Sequence, residues 1–303
     1  MRLALGALAP FLLIPSLVAQ SESPTLEATS SRGRVYLGSV EPEEAWNAAT
    51  PLTIAYPTEV IYHPPLEITM RALVDDERLY LWIEWPDEVK NQSLWNWTRT
   101  EAGWERSAED SEDGLQVIVQ NPNGRFDLWH WGASRSNPVG ALHDKAGPVE
   151  AISSISVADP GIPPFRANAI PDHGAPAEVW KASELQGAPI PDPAGMVMRA
   201  EDLLFEEHTE PLGDTNPWTG EAWADGATVP GVITIFPTES QADVELVGTW
   251  SEERWILELR RPLDTGDAEH DVKFERGQSH TLSLSFLNAT PPIAPVEVEL
   301  VIP

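Results

Sequence analysis

Apolar and polar residues alternate in short runs along most of this chain. From residue 67 to 74, Ile68, Met70 and Ala72 point one way and Glu67, Thr69 and Arg71 the other. Asp75-Asp76-Glu77 forms a polar turn, and residues 78–85 return with Leu79, Leu81, Ile83 and Trp85 on one face. A period of two places successive side chains on opposite faces of a strand, so this pair predicts a hairpin. Residues 115–120 and 126–131 predict a second, joined across Asn121-Pro122-Asn123-Gly124. Within it Phe126, Leu128 and His130 share one face, and Asp127, Trp129 and Trp131 the other. Further strands are expected at 35–40, 46–56 and 229–236. A third hairpin spans 244–250 and 254–260, and the last strands fall at 281–287 and 296–302. About ten short strands separated by turn residues, with little helix, predict an antiparallel, immunoglobulin-like β-sandwich. Both ends of the chain supply its strands.

The middle breaks this pattern. Residues 136–228 are dense in Pro and Gly, with weak hints of helix at 181–185 and of helix or strand at 200–208. They predict a long irregular insertion packed over the sheets of a single domain, residues 34–303. Residues 20–33, rich in Ser, Glu and Thr, read as a loose lead-in. Met1-Arg2, the apolar run 3–18 and Ala19 read as an export signal covering residues 1–19, which predicts a periplasmic mature protein. That run is short and Pro-broken, and no later stretch is apolar enough to span a membrane.

Charge narrows the partners. The chain has 303 residues, 48 acidic against 19 basic, for a net charge of −29. Such a balance argues against nucleic acid and against an anionic membrane surface. It fits a solvated acidic surface or a basic protein partner. With no cysteine, disulfides, thiolate metal sites, Fe–S clusters and covalent c-type haem are excluded. A cofactor would have to be held by His, Met, Lys or carboxylates.

Several residues offer such chemistry. His130, between Trp129 and Trp131, is either a hydrogen-bonded core histidine or a ligand. Met70 is either core filler or a thioether donor, and Met196 and Met198 sit in the insertion. His280 begins a late strand, while His143, His173 and His208 read as exposed loop residues. Of thirteen tryptophans, Trp82, Trp85, Trp250 and Trp255 fit a core. Trp95, Trp97 and Trp104 fall in a polar loop, where they could form a sugar-stacking platform. Asp75, Asp76 and Glu77, or Asp110, Glu112 and Asp113, offer oxygen ligands for Ca²⁺, although neither group has the spacing of a calcium loop and the first reads as a turn. No nucleophile–base pair or phosphate-binding loop is present, which points to an accessory subunit rather than an independent enzyme.

Several segments together carry a family resemblance: Trp46-Asn47-Ala48-Ala49-Thr50-Pro51-Leu52; residues 71–87; Asp113-Gly114-Leu115; Asp127-Leu128-Trp129-His130-Trp131; Gly248-Thr249-Trp250; residues 255–266; and Asp271-Val272-Lys273-Phe274 with Gly277. In order and spacing they resemble the haem-binding subunits of ethylbenzene dehydrogenase and dimethylsulfide dehydrogenase, over most of residues 45–290. The resemblance implies a sandwich related to family 9 carbohydrate-binding modules. It implies a b-type haem between the sheets, exchanging electrons with a redox partner protein or catalytic oxidoreductase subunit. The characterised subunits use a Met and a Lys as axial ligands. Here residues 115–125 contain no Met and no Lys follows Lys273. The candidates left are His130 for the iron, with Met70 or Met198 as a second donor and Trp129 and Trp131 lining the group. A carbohydrate-binding module on the same scaffold and a haem-free structural subunit are the competing readings.

Overall fold

The computed structural model describes residues 23–32, 35–38, 44–56, 66–108, 111–121, 124–148, 157–169, 175–176, 178–180, 197–198, 209–211, 225–287 and 295–303. The N-terminal third carries β1 (Thr25–Glu27), β2 (Thr29–Ser30), helix α1 (Glu44–Asn47), β3 (Leu52–Tyr56), β4 (Leu66–Val74) and β5 (Arg78–Pro86). Next come β6 (Trp97–Thr100), β7 (Gly103–Arg106), β8 (Gly114–Asn121), β9 (Arg125–Gly132) and β10 (His143–Pro148). Shorter strands follow: β11 (Val157–Ala158), β12 (Phe165–Ala167), β13 (Glu178–Trp180), β14 (Val197–Met198), β15 (Thr209–Pro211), β16 (Thr228–Val229) and β17 (Val232–Ile235). β18 (Glu245–Ser251), β19 (Arg254–Pro262), β20 (Ser279–Leu287) and β21 (Val296–Val301) complete the order.

Two large sheets face each other. One runs β1-β21-β20-β8-β9-β10-β11, the other β18-β19-β5-β4-β2 with β3 also on β4. All pairings in them are antiparallel except β1 with β21 and β2 with β4. This is the all-β sandwich that the alternation predicts. Among the described residues no helix is long and apolar enough to cross a membrane.

The core fills the space between the sheets. β4, β5 and β19 supply Ile68, Met70, Leu81, Ile83, Trp85, Trp255 and Leu257; β8, β9 and β20 supply Val117, Trp129, Trp131, Leu282, Leu284 and Phe286. The rings interlock edge to face: Trp131 meets Trp255 at 4.9 Å and Trp85 at 5.8 Å, and Trp85 meets Phe286 at 5.1 Å. Truncating one such ring costs about 3–5 kcal/mol. A smaller cluster covers the far side of the second sheet. There Trp46 and Trp82 pack at 5.7 Å, and Glu258 accepts from Trp46 Nε1 and Gly38 N, both at 3.0 Å.

The β4–β5 turn shows why Asp75 stands where it does. Its Oδ1 accepts from the backbone of Glu77 (2.9 Å) and Arg78 (2.7 Å), and its Oδ2 from Tyr80 Oη (2.7 Å). A side chain that replaces backbone partners in this way builds a turn, and both of its oxygens are occupied.

Several segments differ from the sequence reading: residues 35–38 form no strand, and where a strand was expected over 46–56 the helix α1 ends at Asn47 and β3 begins only at Leu52. Residues 25–30, expected as a loose lead-in, pair with both sheets, with Leu26 buried. The supposed polar loop at 91–113 contains the β6–β7 hairpin, which buries Trp97 and Trp104. The run 229–236 splits into β16 and β17 at Pro230, which has no N–H for a ladder. Finally, β10 lies inside the expected irregular insertion yet pairs with β9 over six residue positions.

Two polar contacts near the two ends of β9 help tie the sheets together. Asn137 accepts from Gly248 N (2.9 Å) and Trp131 Nε1 (3.2 Å) and donates to Gly248 O (3.1 Å). At the other contact Arg261 of β19 reaches Asp127 of β9 at 3.0 Å and Asp271 at 3.2 Å, and donates to Val272 O at 2.6 Å. The side chains of Arg261 and Asp127 are completely buried. The guanidinium also lies 5.3 Å from the ring centres of Trp129 and Phe274. Removing one partner of a buried ion pair strands the other charge. Arg261→Met is expected to lower unfolding free energy by about 3–5 kcal/mol at neutral pH in a urea titration; a loss under about 1 kcal/mol would show that Arg261 does not hold Asp127 in place.

Candidate functional site

β9 faces two ways. Its odd positions, Asp127, Trp129 and Trp131, enter the sandwich core, while Phe126, Leu128 and His130 point to the outer side of the seven-stranded sheet. On that side His143 sits directly across from His130, and Lys145 across from Leu128. From β8, Gln116 lies opposite His130 and Ile118 opposite Leu128. Phe165 of β12 sets its ring against His143, with centroids 5.1 Å apart and planes at 87°.

The turn after β9 adds a cation. Glu112 is buried, and its Oε2 accepts from the backbone N–H groups of Ser134 (2.7 Å) and Arg135 (3.0 Å). Its Oε1 pairs with Arg135 Nε. Gly132 is required beneath this carboxylate, because a Cβ there would come within 2.6 Å of Glu112 Oε1. So anchored, Arg135 brings Nη2 to 3.0 Å from His130 Nε2 and rests 5.3 Å from the Phe165 ring centre. A guanidinium only donates. His130 Nε2 is therefore the acceptor, and its proton sits on Nδ1.

Both imidazoles are neutral. Burial, then the charges of Arg135, His143 and Lys145, hold His130 well below the usual histidine range. Burial, Lys145 and Arg135 push His143 down to about 3. Burial and Arg135 also lower Lys145. Neutral imidazole is the form that binds metal. The two rings differ in availability. The Nε2 lone pair of His130 is taken by Arg135, whereas His143 Nδ1 is buried without a hydrogen-bond partner. A buried polar atom left unpaired is unusual enough to require an explanation.

The structure separates the ligand candidates. Met70 lies in the core between the sheets, fully buried, on the far side of the seven-stranded sheet from His130. Trp129 and Trp131 face Met70's side. His280 also lies on the inward side, its ring 4.8 Å from Phe274. The backbone of Met198 belongs to β14 and pairs with Ile235. Met196, His173, His208 and Asp110, like residues 1–19, fall outside the described residues. His143, expected in an exposed loop, is instead a strand residue against Phe165. Within Leu142-His143-Asp144-Lys145-Ala146 the alternation was the available signal, and the inward Asp144 hid it.

The other candidate sites resolve differently. Trp97 and Trp104 are 5% and 6% exposed, and Trp97 Nε1 donates to Asn168 O at 2.6 Å. Of the proposed platform only Trp95 reaches the surface, with Arg106 stacked 4.6 Å from its centre. Asp113 Oδ2 accepts from Asn91 N (2.7 Å) and Trp255 Nε1 (2.8 Å), so it braces the core as Glu112 braces Arg135. Sequence reasoning also passed over Arg135, Lys145 and a group of buried aspartates around Arg261. The inward Asp127 in an apolar strand was the one sign of that group.

The comparisons bear on this face. The sequence pattern of the ethylbenzene dehydrogenase family matches residues 110–288, which include β8, β9 and β10. The chain belongs to that family. Membership associates this ethylbenzene dehydrogenase family protein with an oxidoreductase. No curated protein matches it. Two solved structures of a family 9 carbohydrate-binding module from Caldicellulosiruptor kristjanssonii are similar in part. One is in complex with glucose and the other with cellotriose. Both are 10% identical; they cover 91% and 92% of this chain and 96% and 94% of their own, with TM-scores of 0.35 and 0.36. The sugars belong to those modules.

The charge relations at this face are open to test. Arg135→Met removes a positive neighbour of both histidines, so the pKa of His130 and of His143 should rise, with burial still holding each below the usual range. Ring-proton NMR shifts followed against pH check this; an unchanged His130 titration would show that Arg135 does not engage it.

Proposed function

We propose that this chain holds a non-covalent b-type haem against the outer face of its seven-stranded sheet and passes electrons for an exported oxidoreductase complex. The observation that carries the reading is His143, a neutral, half-buried imidazole whose Nδ1 has no partner. Family membership supports an oxidoreductase setting. The absence of cysteine restricts any haem to non-covalent attachment. On this face the half-buried Ile118 and Phe165 offer apolar surface above the buried Phe126 and Leu128, and Arg135 and Lys145 offer positive charge for the haem carboxylates. The space between the sheets does not fit haem, since the tryptophans and Met70 already fill that space.

When bound, haem supplies an iron that stores one electron. The protein's part is to ligate, orient and exclude water. His143 would give its free ring nitrogen to the iron. His130, with its lone pair held by Arg135, acts as a positioning residue that keeps the guanidinium over the face. Lowered basicity keeps both rings unprotonated across the physiological range, so proton competition does not displace the ligand. The net charge of −29 would steer a basic partner toward the surface.

Absorption spectra of protein purified from haem-replete cells test this. The expected result is a Soret band with sharp α and β bands on reduction. His143→Ala should remove or shift these bands. Met70→Leu, a volume-conserving change that costs less than about 1.5 kcal/mol, should leave them unchanged. The proposal fails if no haem co-purifies and none binds on titration, or if the bands respond to Met70→Leu but not to His143→Ala.

A further inference from the structure

Opposite the haem face, at the end of the sandwich that Arg261 closes, carboxylates gather from separate elements. Asp127 comes from β9, Asp144 from β10, Asp159 from the segment after β11, Asp243 from the turn before β18, and Asp271 from the loop after β19. Asp127, Asp144 and Asp271 each place one carboxylate oxygen within 4.8 Å of the others. Asp127, Asp144, Asp159 and Asp271 are at most 3% exposed. Both oxygens of Asp144, Asp159 and Asp243 lack a hydrogen-bond partner, as does Asp127 Oδ1, while Asp271 Oδ1 meets Arg261 at 3.2 Å. One guanidinium, that of Arg261, faces Asp127, Asp144, Asp243 and Asp271.

The backbone around these oxygens is held by side chains. Gln241 accepts from Asp144 N at 3.3 Å and donates to the backbone carbonyls of Asp144 (2.7 Å) and Asp159 (3.1 Å). The side chain thus pins both backbones and leaves both carboxyls free. Thr265 Oγ1 donates to Asp271 Oδ2 at 2.6 Å. A cleft of about 420 Å³ lined by Ser240, Asp243, Thr265 and Asp267 opens beside the group and gives a path from solvent.

We propose that Asp127, Asp144 and Asp271, with Asp159 and Asp243 around them, form a Ca²⁺ site that locks the two sheets together. Buried unpaired carboxylates must be neutralised by a proton or a cation. The donor set is oxygen only, which selects a hard cation over zinc or copper. Ca²⁺ takes six to eight oxygens in irregular geometry, whereas Mg²⁺ demands a regular octahedron and keeps its waters. A dry group of carboxylates converging from separate strands and loops suits Ca²⁺.

Protons are the competitor, and pH separates the two. The charged and titratable groups facing the site are the five aspartates, Arg261 of β19, Asp267 and His270 of the following loop, and His280 of β20. Protons and Ca²⁺ compete for the same oxygens, so Ca²⁺ binding weakens as pH falls.

The test is thermal unfolding of the full chain after EDTA treatment, with Ca²⁺ added back. At pH 8, Ca²⁺ at a hundred times its Kd should raise Tm by about 5–10 °C, and at pH 5 the rise should be smaller. Asp144→Asn should abolish the rise at pH 8 and leave the EDTA-treated Tm unchanged or higher, because a repelling charge is gone. Asp243→Asn, nearer the cleft, serves as the second variant and should weaken the response. If Ca²⁺ leaves Tm unchanged at pH 8, protons alone balance the aspartates. If Asp144→Asn keeps the full shift, surface acids bind the ion. Either result overturns the proposal.

Discussion

The contact between Arg261 and Asp127 decides what the rest of this structure can be. It joins the inner faces of the two sheets with both side chains out of water. Coulomb attraction alone rarely repays that burial, so its value lies in register. Side chains on β9 alternate strictly. A slip of one residue would carry Trp129 and Trp131 to the outside and His130 into the core. Asp127 fits only where Arg261 and Val272 N meet its Oδ2, both at 3.0 Å. One polar position in an apolar strand thus fixes which face every neighbour takes.

The two faces of β9 and β10 then carry different chemistry with little interference. On the outer side, Glu112 orients Arg135, Arg135 occupies His130, and His143 is left with a free nitrogen among apolar side chains. On the inner side, Asp144, one residue along from His143, enters the acidic group around Arg261. The strand pair is itself the partition between a cationic surface with neutral imidazoles and a buried anionic one. That separation lets a chain of net charge −29 carry a cationic outer face here.

The fold was legible where one face of a strand is buried and the other is polar. The β4–β5 and β8–β9 hairpins and the split of His130 from Trp129 follow directly from alternation. Legibility failed where both faces are covered. β10 reads as irregular because Asp144 points inward and His143 and Lys145 are packed outward, so no polar face remains to mark the period. The β6–β7 hairpin hid its Trp97 and Trp104 among charged residues. Met70 showed the converse problem: an apolar strand position looks the same whether it faces a cofactor or the core. The buried aspartates come from five places in the chain, and only three-dimensional convergence reveals them.

Paired measurements on His143→Ala and Asp144→Asn test the central claim, that adjacent residues of one strand serve independent sites on opposite faces. Each variant is assayed for both the haem absorption bands and the Ca²⁺-dependent rise in Tm. The structure predicts a clean crossing: His143→Ala loses or shifts the bands and keeps the Ca²⁺ response, while Asp144→Asn keeps the bands and loses the response. Loss of both properties in either variant, or the reverse assignment, would contradict it.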